Sequence, residues 1–313
     1  MNALFLTAVQ VVSVLLLAPF ATGLVRWFKA RLQGRCGASP FLPYWTLLTL
    51  FKKEFVRSRS TSWVFRFVPF MVLGSALFLV LVLPLLGQGT TLYALGDFVV
   101  VAAVLVVGAV FLVLGGLDSA SAFGGMGSER EMTLVALMEP ALITVFAAFA
   151  HVSGSSTVDG FLSAGGMNLG AYPGLILSLG AFLLVALAEN ARYPVDNPAT
   201  HLELTMVHEA MVLEYSGPYL ALLEYASSLK LITFTLLIGN LLLPGTLLLA
   251  DAGMASLIIA LLWLMGKVVV GMALLALLET SIAKMRFYRM QELSAWAFFL
   301  ALAGLMVVLF PSV

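Results

Sequence analysis

Eight stretches of this chain are apolar for long enough to cross a lipid bilayer, and they constrain its fold more than any motif. They fall at roughly 3–25, 67–86, 98–117, 132–152, 173–190, 229–249, 255–278 and 294–311, and a spanning helix needs about 20 apolar residues. Backbone groups in hydrocarbon must be bonded internally, which leaves helices and closed barrels as spanning forms. The expected fold is therefore an all-α membrane protein of about eight transmembrane helices. Composition agrees: of 313 residues, 62% are hydrophobic and 10% charged, where soluble domains carry about 25% charged residues. No repeat or low-complexity segment divides the chain, so residues 1–313 read as a single polytopic domain with two substantial connections, 26–66 and 191–228.

Charge sorting predicts an orientation. Nine basic residues, Arg26, Lys29, Arg31, Arg35, Lys52, Lys53, Arg57, Arg59 and Arg66, crowd the first connection. Arg130, Arg192, Lys284, Arg286 and Arg289 lie on the same side, which thus holds fourteen of the sixteen basic residues. The opposite connections, 87–97, 153–172 and 250–254, have no Lys or Arg. The positive-inside rule then places the basic connections in the cytoplasm and both termini outside. The N-terminus lacks a basic n-region and a small-residue cleavage site, so it reads as a retained first span in a cytoplasmic (inner) membrane. Pro19, Pro84, Pro140 and Pro244 fall in or beside spans, where neighbouring helices can re-satisfy the backbone.

Several charges sit where they are expensive. Glu139 lies about seven residues into the fourth span and Lys267 near the middle of the seventh. A charge at the bilayer centre costs at least about 2.5–3.5 kcal/mol, so such groups face a polar interior or a partner. A structural reading stands beside the functional one for each: a protonated Glu139 bonded to a neighbouring helix, and an ion pair for Lys267. Glu189 ends the fifth span, and Pro194 and Pro198 break the helix soon after. The following segment, ATHLELTMVHEAMVLEYSG, predicts an acidic helix at the interface, with Glu203 and Glu214 eleven residues apart and on one face if it is unbroken. It carries Glu203, Glu209 and Glu214, then Glu224, with no basic residue between Arg192 and Lys230. A surface helix on anionic lipid would prefer Lys and Arg, so these carboxyls suit a proton path or a docking partner.

Other chemistries are disfavoured. Sixteen basic residues balance sixteen acidic ones, so nothing points to nucleic acid. The single cysteine, Cys36, excludes a disulfide framework or a cysteine-held cluster on this chain alone. His201 and His208 are seven apart rather than four, and no HExxH is present, so no metal is expected here. Gly115-Gly116 and Gly124-Gly125 suit tight turns and close helix packing.

The run Glu-Asn-Ala-Arg-Tyr-Pro-Val-Asp at 189–196, with Leu-Glu-Leu at 202–204 and Glu-Tyr-Ser-Gly at 214–217, resembles the signature of the subunit 1 family of respiratory complex I. The resemblance runs almost end to end. Its branch in membrane-bound [NiFe] hydrogenases, formate hydrogenlyase included, matches better at Gly116-Leu117-Asp118-Ser119, Ser128-Glu129-Arg130-Glu131, Glu139-Pro140, Phe65-Arg66 with Pro69, and Lys267 with Glu279-Thr280-Ser281. At the position of Glu279 the quinone-type branch usually has Arg.

What the resemblance implies is a membrane subunit that anchors a cytoplasmic redox arm and couples electron transfer to proton or sodium movement. Implied partners are [NiFe] hydrogenase-like large and small subunits, a ferredoxin-like Fe–S subunit and antiporter-like membrane subunits, with the [NiFe] centre and Fe–S clusters on those partners. Proton-path or coupling residues would be Glu139, Glu189, Arg192, Asp196, Glu203, Glu214, Lys230, Lys267 and Glu279. Docking of the arm would use Arg31, Arg35, Lys52, Lys53, Arg66, Asp118 and Arg130. The sequence departs from the quinone-type pattern at Ala199 and His201, at three residues inserted after Leu204, and at Arg35-Cys36-Gly37-Ala38. Two alternatives stay open: a quinone-chamber subunit of an NADH:quinone oxidoreductase, and a stand-alone ion transporter.

Overall fold

A computed structural model describes residues 3–56, 58, 60–163, 172–192, 207–248, 253–282 and 290–310. Eleven α-helices occur among them: α1 (Ala3–Leu32), α2 (Leu42–Lys52), α3 (Trp63–Val82), α4 (Phe98–Asp118), α5 (Ala122–Ser153), α6 (Val158–Ser163), α7 (Gly174–Glu189), α8 (His208–Val212), α9 (Gly217–Leu242), α10 (Met254–Ser281) and α11 (Met290–Leu309). Seven are long and apolar enough to cross a membrane, and α7 is a shorter apolar helix of 16 residues. Together they match the eight expected spans. The described residues contain only isolated β-bridges, at Gly87–Leu248 and Asp97–Thr157.

The helices pack as two joined groups. In one, α11 lies against α5 and α7, and α5 also meets α4 and α7. In the other, α1 packs on α9 and α10, and α3 packs on α4 and α9. Phe146, Phe161, Phe182 and Phe234 form a chain of ring contacts between the groups, with centroids 5.6–6.3 Å apart. Outward positions stay apolar, as on Leu16, Val99, Leu262 and Phe299, which suits a lipid-facing surface.

Several expected boundaries move, α1 for one running on to Leu32, and three of the shifts have a local cause. Hydropathy carries the second span to residue 86, but α3 stops at Val82 and residues 83–86 are unwound and buried. Pro84 lacks an N–H and clashes with the turn before it, and two side-chain amides bond the freed backbone instead. The fourth and sixth spans begin about three turns early, at Ala122 and Gly217, because hydropathy does not see polar first turns. Ser121 caps α5 by accepting from the Gly124 N–H at 3.1 Å, so Gly124-Gly125 lie inside a helix rather than in a turn. Gly124 still serves close packing, since a Cβ there would meet Gly116 O and Ser119 Oγ. Pro218 sits in the first turn of α9, which places Glu224 within a helix.

Among the described residues the expected interfacial helix is represented by α8, five residues long. Residues 193–206, with Asp196 and Glu203, lie outside the described residues. Glu214 falls in the turn after α8 and is exposed. A short helix that hydropathy missed, α2, fills the basic connection and packs on α9 and α1. Its Tyr44 hydroxyl bonds the Leu16 carbonyl, and burial raises that phenol above its ordinary value against the lowering effect of a backbone hydrogen bond.

Candidate functional site

The site grows from the end of α7. Ala191 adopts φ +47°, and the Arg192 N–H donates back to Leu187 O at 2.9 Å. This left-handed cap closes α7 and turns the Arg192 side chain toward α10. There the Glu279 carboxylate, fully buried, receives Arg192 at 3.5 Å and Lys29 of α1 at 2.8 Å. One anion thus joins α1, α7 and α10 at the basic end of the bundle. Burial lowers the Arg192 guanidinium from the usual arginine value, and the charge of Glu279 opposes that shift.

One residue before the cap, Glu189 pairs with Lys230 of α9 at 2.6 Å. This pair lines a small cavity of about 60 Å³ between α3, α4, α5, α7 and α9, which also receives Glu131 and His208. A larger pocket of about 520 Å³ lies between α1, α2 and α9 and is edged by Arg26, Lys29, Arg35, Arg192, Glu209 and Glu224. Asn190, Ala191, His208, Leu223 and Ser227 line both spaces. These shared side chains join a charged pocket to a smaller ionisable cavity.

The Glu-Tyr-Ser-Gly run at 214–217 builds part of this frame. Tyr215 stacks on Phe65 at 3.9 Å with rings nearly parallel, and burial, then Asp118, raises its phenol. Ser216 Oγ accepts from the Val56 N–H at 3.0 Å and donates to Val56 O at 2.9 Å. Gly217 has φ +56°, and a Cβ there would lie 2.7 Å from Glu54 O. The motif pins the basic connection against the start of α9, and only glycine fits its last position.

Other expected site residues spread out. Glu139 is half-buried on α5 and has no bonded partner among the described residues. Lys267 reaches Asn240 of α9 rather than a carboxylate. Of the expected docking residues, Arg35, Lys52, Lys53 and Arg66 are exposed. Arg31, also exposed, lies 5.4 Å over the Trp27 ring, and Arg130 is half-buried on α5. Asp118 points inward: its Oδ2 accepts from the Ser62 and Phe65 N–H groups at 2.8 and 3.1 Å, capping α3. Sequence reasoning missed Lys29 as the partner of Glu279, and Glu131 and His208 as cavity residues. Their opposite charges were visible, but the pairing of positions 29 and 279 was not. Among the described residues no group of three His, Cys, Asp or Glu side chains could hold a metal.

A bundle of this kind, with ion pairs held inside apolar helices, defines a multi-pass membrane protein. The family model described as NADH dehydrogenase matches residues 5–311, and the chain belongs to that family. Hydrogenase-4 component C of Escherichia coli (strain K12) is 30% identical over 93% of this chain and 91% of its own length. Formate hydrogenlyase subunit 4 of the same organism is 29% identical, covering 89% and 90%. An NADH-quinone oxidoreductase subunit of Ralstonia pickettii (strain 12J) is 27% identical, covering 91% and 83%. A chain in the membrane-bound sulfane sulfur reductase, an archaeal respiratory membrane complex, has the same fold, with a TM-score of 0.83 at 18% identity over 97% of this chain and 99% of that one.

Proposed function

We propose that this chain is the membrane subunit of an energy-converting hydrogenase-type complex, anchoring a redox arm at its basic end and coupling electron transfer to proton or sodium movement. The observation that carries this reading is the pair of adjoining spaces. Glu131, Glu189 and the Glu189-paired Lys230 line the small cavity, and side chains shared with the larger charged pocket adjoin it, an arrangement suited to passing protons between the two. The basic end faces the cytoplasm in this reading. The redox centres, a [NiFe] site and Fe–S clusters, belong to partner subunits of the large, small and ferredoxin-like kinds, while antiporter-like subunits flank the bundle. Support comes from identity to the hydrogenase-4 and formate hydrogenlyase subunits at nearly full length.

Within this reading Glu139, Glu189 and Glu214 join Asp196 and Glu203 as exchanging groups, Arg192 and Glu279 set the local field, Lys230 closes the acidic stretch and Lys267 hands charge toward the neighbouring subunit. Arg31, Arg35, Lys52, Lys53, Arg66 and Arg130 face the arm, and Asp118 serves that surface by holding the start of α3. The test is the whole complex in sealed inverted vesicles. Glu189→Gln, assembled to normal subunit content, is expected to lower ion movement per electron by about tenfold. Unchanged coupling in that variant and in Glu139→Gln sinks the proposal.

A second reading draws on the larger pocket, whose 520 Å³ lies in the range of small-molecule sites. A quinone could fill it, as the names of the NADH-quinone oxidoreductase relatives suggest. A labelled quinone analogue crosslinking into 26–66 favours that reading, and hydrogen evolution by the purified complex counts against it.

A further inference from the structure

Among the described residues three lysines sit largely inside the bundle, and they are partnered in two different ways. Lys29 faces the Glu279 carboxylate at 2.8 Å and Lys230 faces Glu189 at 2.6 Å. Lys267 is the most buried of the three, 8% exposed, and no carboxylate approaches it within ion-pair distance among the described residues. Its Nζ instead donates to Asn240 Oδ1 at 2.5 Å.

The Asn240 amide is held in one orientation. Its Nδ2 donates to Pro84 O at 2.9 Å and Leu85 O at 3.2 Å, so a flipped amide would set its oxygen against two carbonyls. Those carbonyls belong to the unwound stretch 83–86, which Gln10 clamps from the other side. Gln10 donates to Val80 O and Leu83 O at 2.9 and 2.8 Å and accepts from the Leu85 and Leu86 N–H groups at 3.2 and 3.1 Å. Gln10 and Asn240 are both fully buried. Gly239 brings α9 so close that a Cβ there would touch the Lys267 side chain at 3.3 Å.

We propose, resting on the coupling reading above, that Lys267 is the proton-exchanging lysine of the bundle and that Asn240 is its positioning residue. The physical distinction lies in what deprotonation leaves behind. When Lys230 loses a proton the buried Glu189 carboxylate stands bare, and when Lys29 loses one Glu279 keeps only the longer contact to Arg192; both are unfavourable. When Lys267 loses one, a neutral amine remains bonded to a neutral amide, and no orphaned charge is created. The step is simple: one Nζ–H bond breaks, its proton passes to a water molecule, and return of the proton restores the ammonium. Asn240 Oδ1 keeps one N–H in both states, so the nitrogen stays in place while its charge changes.

Charged groups on the helices packed against α10 do not reach this point. On α1 they are Arg26, Lys29 and Arg31, and on α9 Glu224 and Lys230. Lys230 is ten residues from Asn240, about 15 Å along the helix, and Glu279 is twelve residues from Lys267, about 18 Å.

The experiment uses the assembled complex with Lys267→Met, Asn240→Leu and the double variant. The first readout is the thermal midpoint from roughly pH 6 to 11, a range that reaches the ordinary lysine value of about 10.4. The difference between native and Lys267→Met isolates titration of this one group. A difference that changes with pH is expected, displaced by Asn240→Leu only while Lys267 is present. The second readout is ion movement per electron, expected to fall roughly tenfold in Asn240→Leu and no further in the double variant. A pH-independent difference overturns the exchange role. An Asn240→Leu effect of equal size in the Lys267→Met background overturns the positioning role. Titration of Lys267 in a complex that moves no ions supports this inference and defeats the coupling reading instead.

Discussion

Lys230 Nζ lies 2.6 Å from Glu189 Oε2, tying the middle of α9 to the last residue of α7 across a small cavity. The side chains are 23% and 10% exposed, so both charges have left most of their water behind. Neither residue is costly to keep while its partner stays, but each becomes so alone. The same logic governs Glu279, whose single carboxylate answers Lys29 and Arg192.

Glu189→Gln should therefore destabilise the folded chain by roughly 3 kcal/mol, and Lys230→Met by a similar amount. The double variant should lose much less than the two together, because no charge is stranded. Thermal unfolding of the four proteins in one detergent checks this. Additive losses would mean that the pair is not coupled.

Glu279→Gln is expected to exceed either of those losses, since it strands two cations around a fully buried position. Adding Lys29→Met should restore part of the stability, again by roughly 3 kcal/mol. The comparison is read from thermal midpoints, and a Glu279→Gln protein as stable as the native chain would contradict the assigned geometry.

Much of this was legible in the chain itself. Eight apolar runs marked the helices, and the signature 189–196 marked the place where α7 ends and the charges begin. What hydropathy could not show was polar helix, as in α5 from Ala122 to Glu131, where a Ser121 cap and packing on α4 and α8 sustain the turn. Nor could it show α3 stopping at Val82, which depends on Gln10 and Asn240 from distant helices. Charge identity marked Glu279 and Lys267 as unusual, while their partners at positions 29 and 240 came only from packing.

Asp159 offers a pH test at the charge-poor end. It accepts from the Gly89 N–H at 3.2 Å, and burial raises its carboxyl above the ordinary aspartate value against that bond. A raised folded-state value means that the folded chain binds the proton more tightly than the unfolded chain. Its contribution to stability is thus present below the unfolded value of about 4 and fades as pH rises through the folded one. Asp159→Asn, which keeps the acceptor, should raise the thermal midpoint at neutral pH and leave it unchanged below about pH 3. An equal gain at both pH values would assign the effect to something other than titration.

Gly217 and Gly125 give opposite predictions for the same substitution. Gly217 combines φ +56° with Glu54 O only 2.7 Å from where a Cβ would stand. Alanine must push the 53–56 segment away and adopt a left-handed backbone, at a cost of about 1–2 kcal/mol for the conformation alone. Because Ser216 bonds Val56 through both its N–H and its carbonyl, the displacement should also loosen the connection between α2 and α3. Gly217→Ala is therefore expected to lower the thermal midpoint and to speed proteolysis between residues 53 and 62. Gly125 lies inside α5 with no atom near its missing Cβ, and alanine there should add about 1 kcal/mol by helix propensity. Limited proteolysis and thermal unfolding of the two variants, side by side, separate a glycine the fold requires from one it merely tolerates.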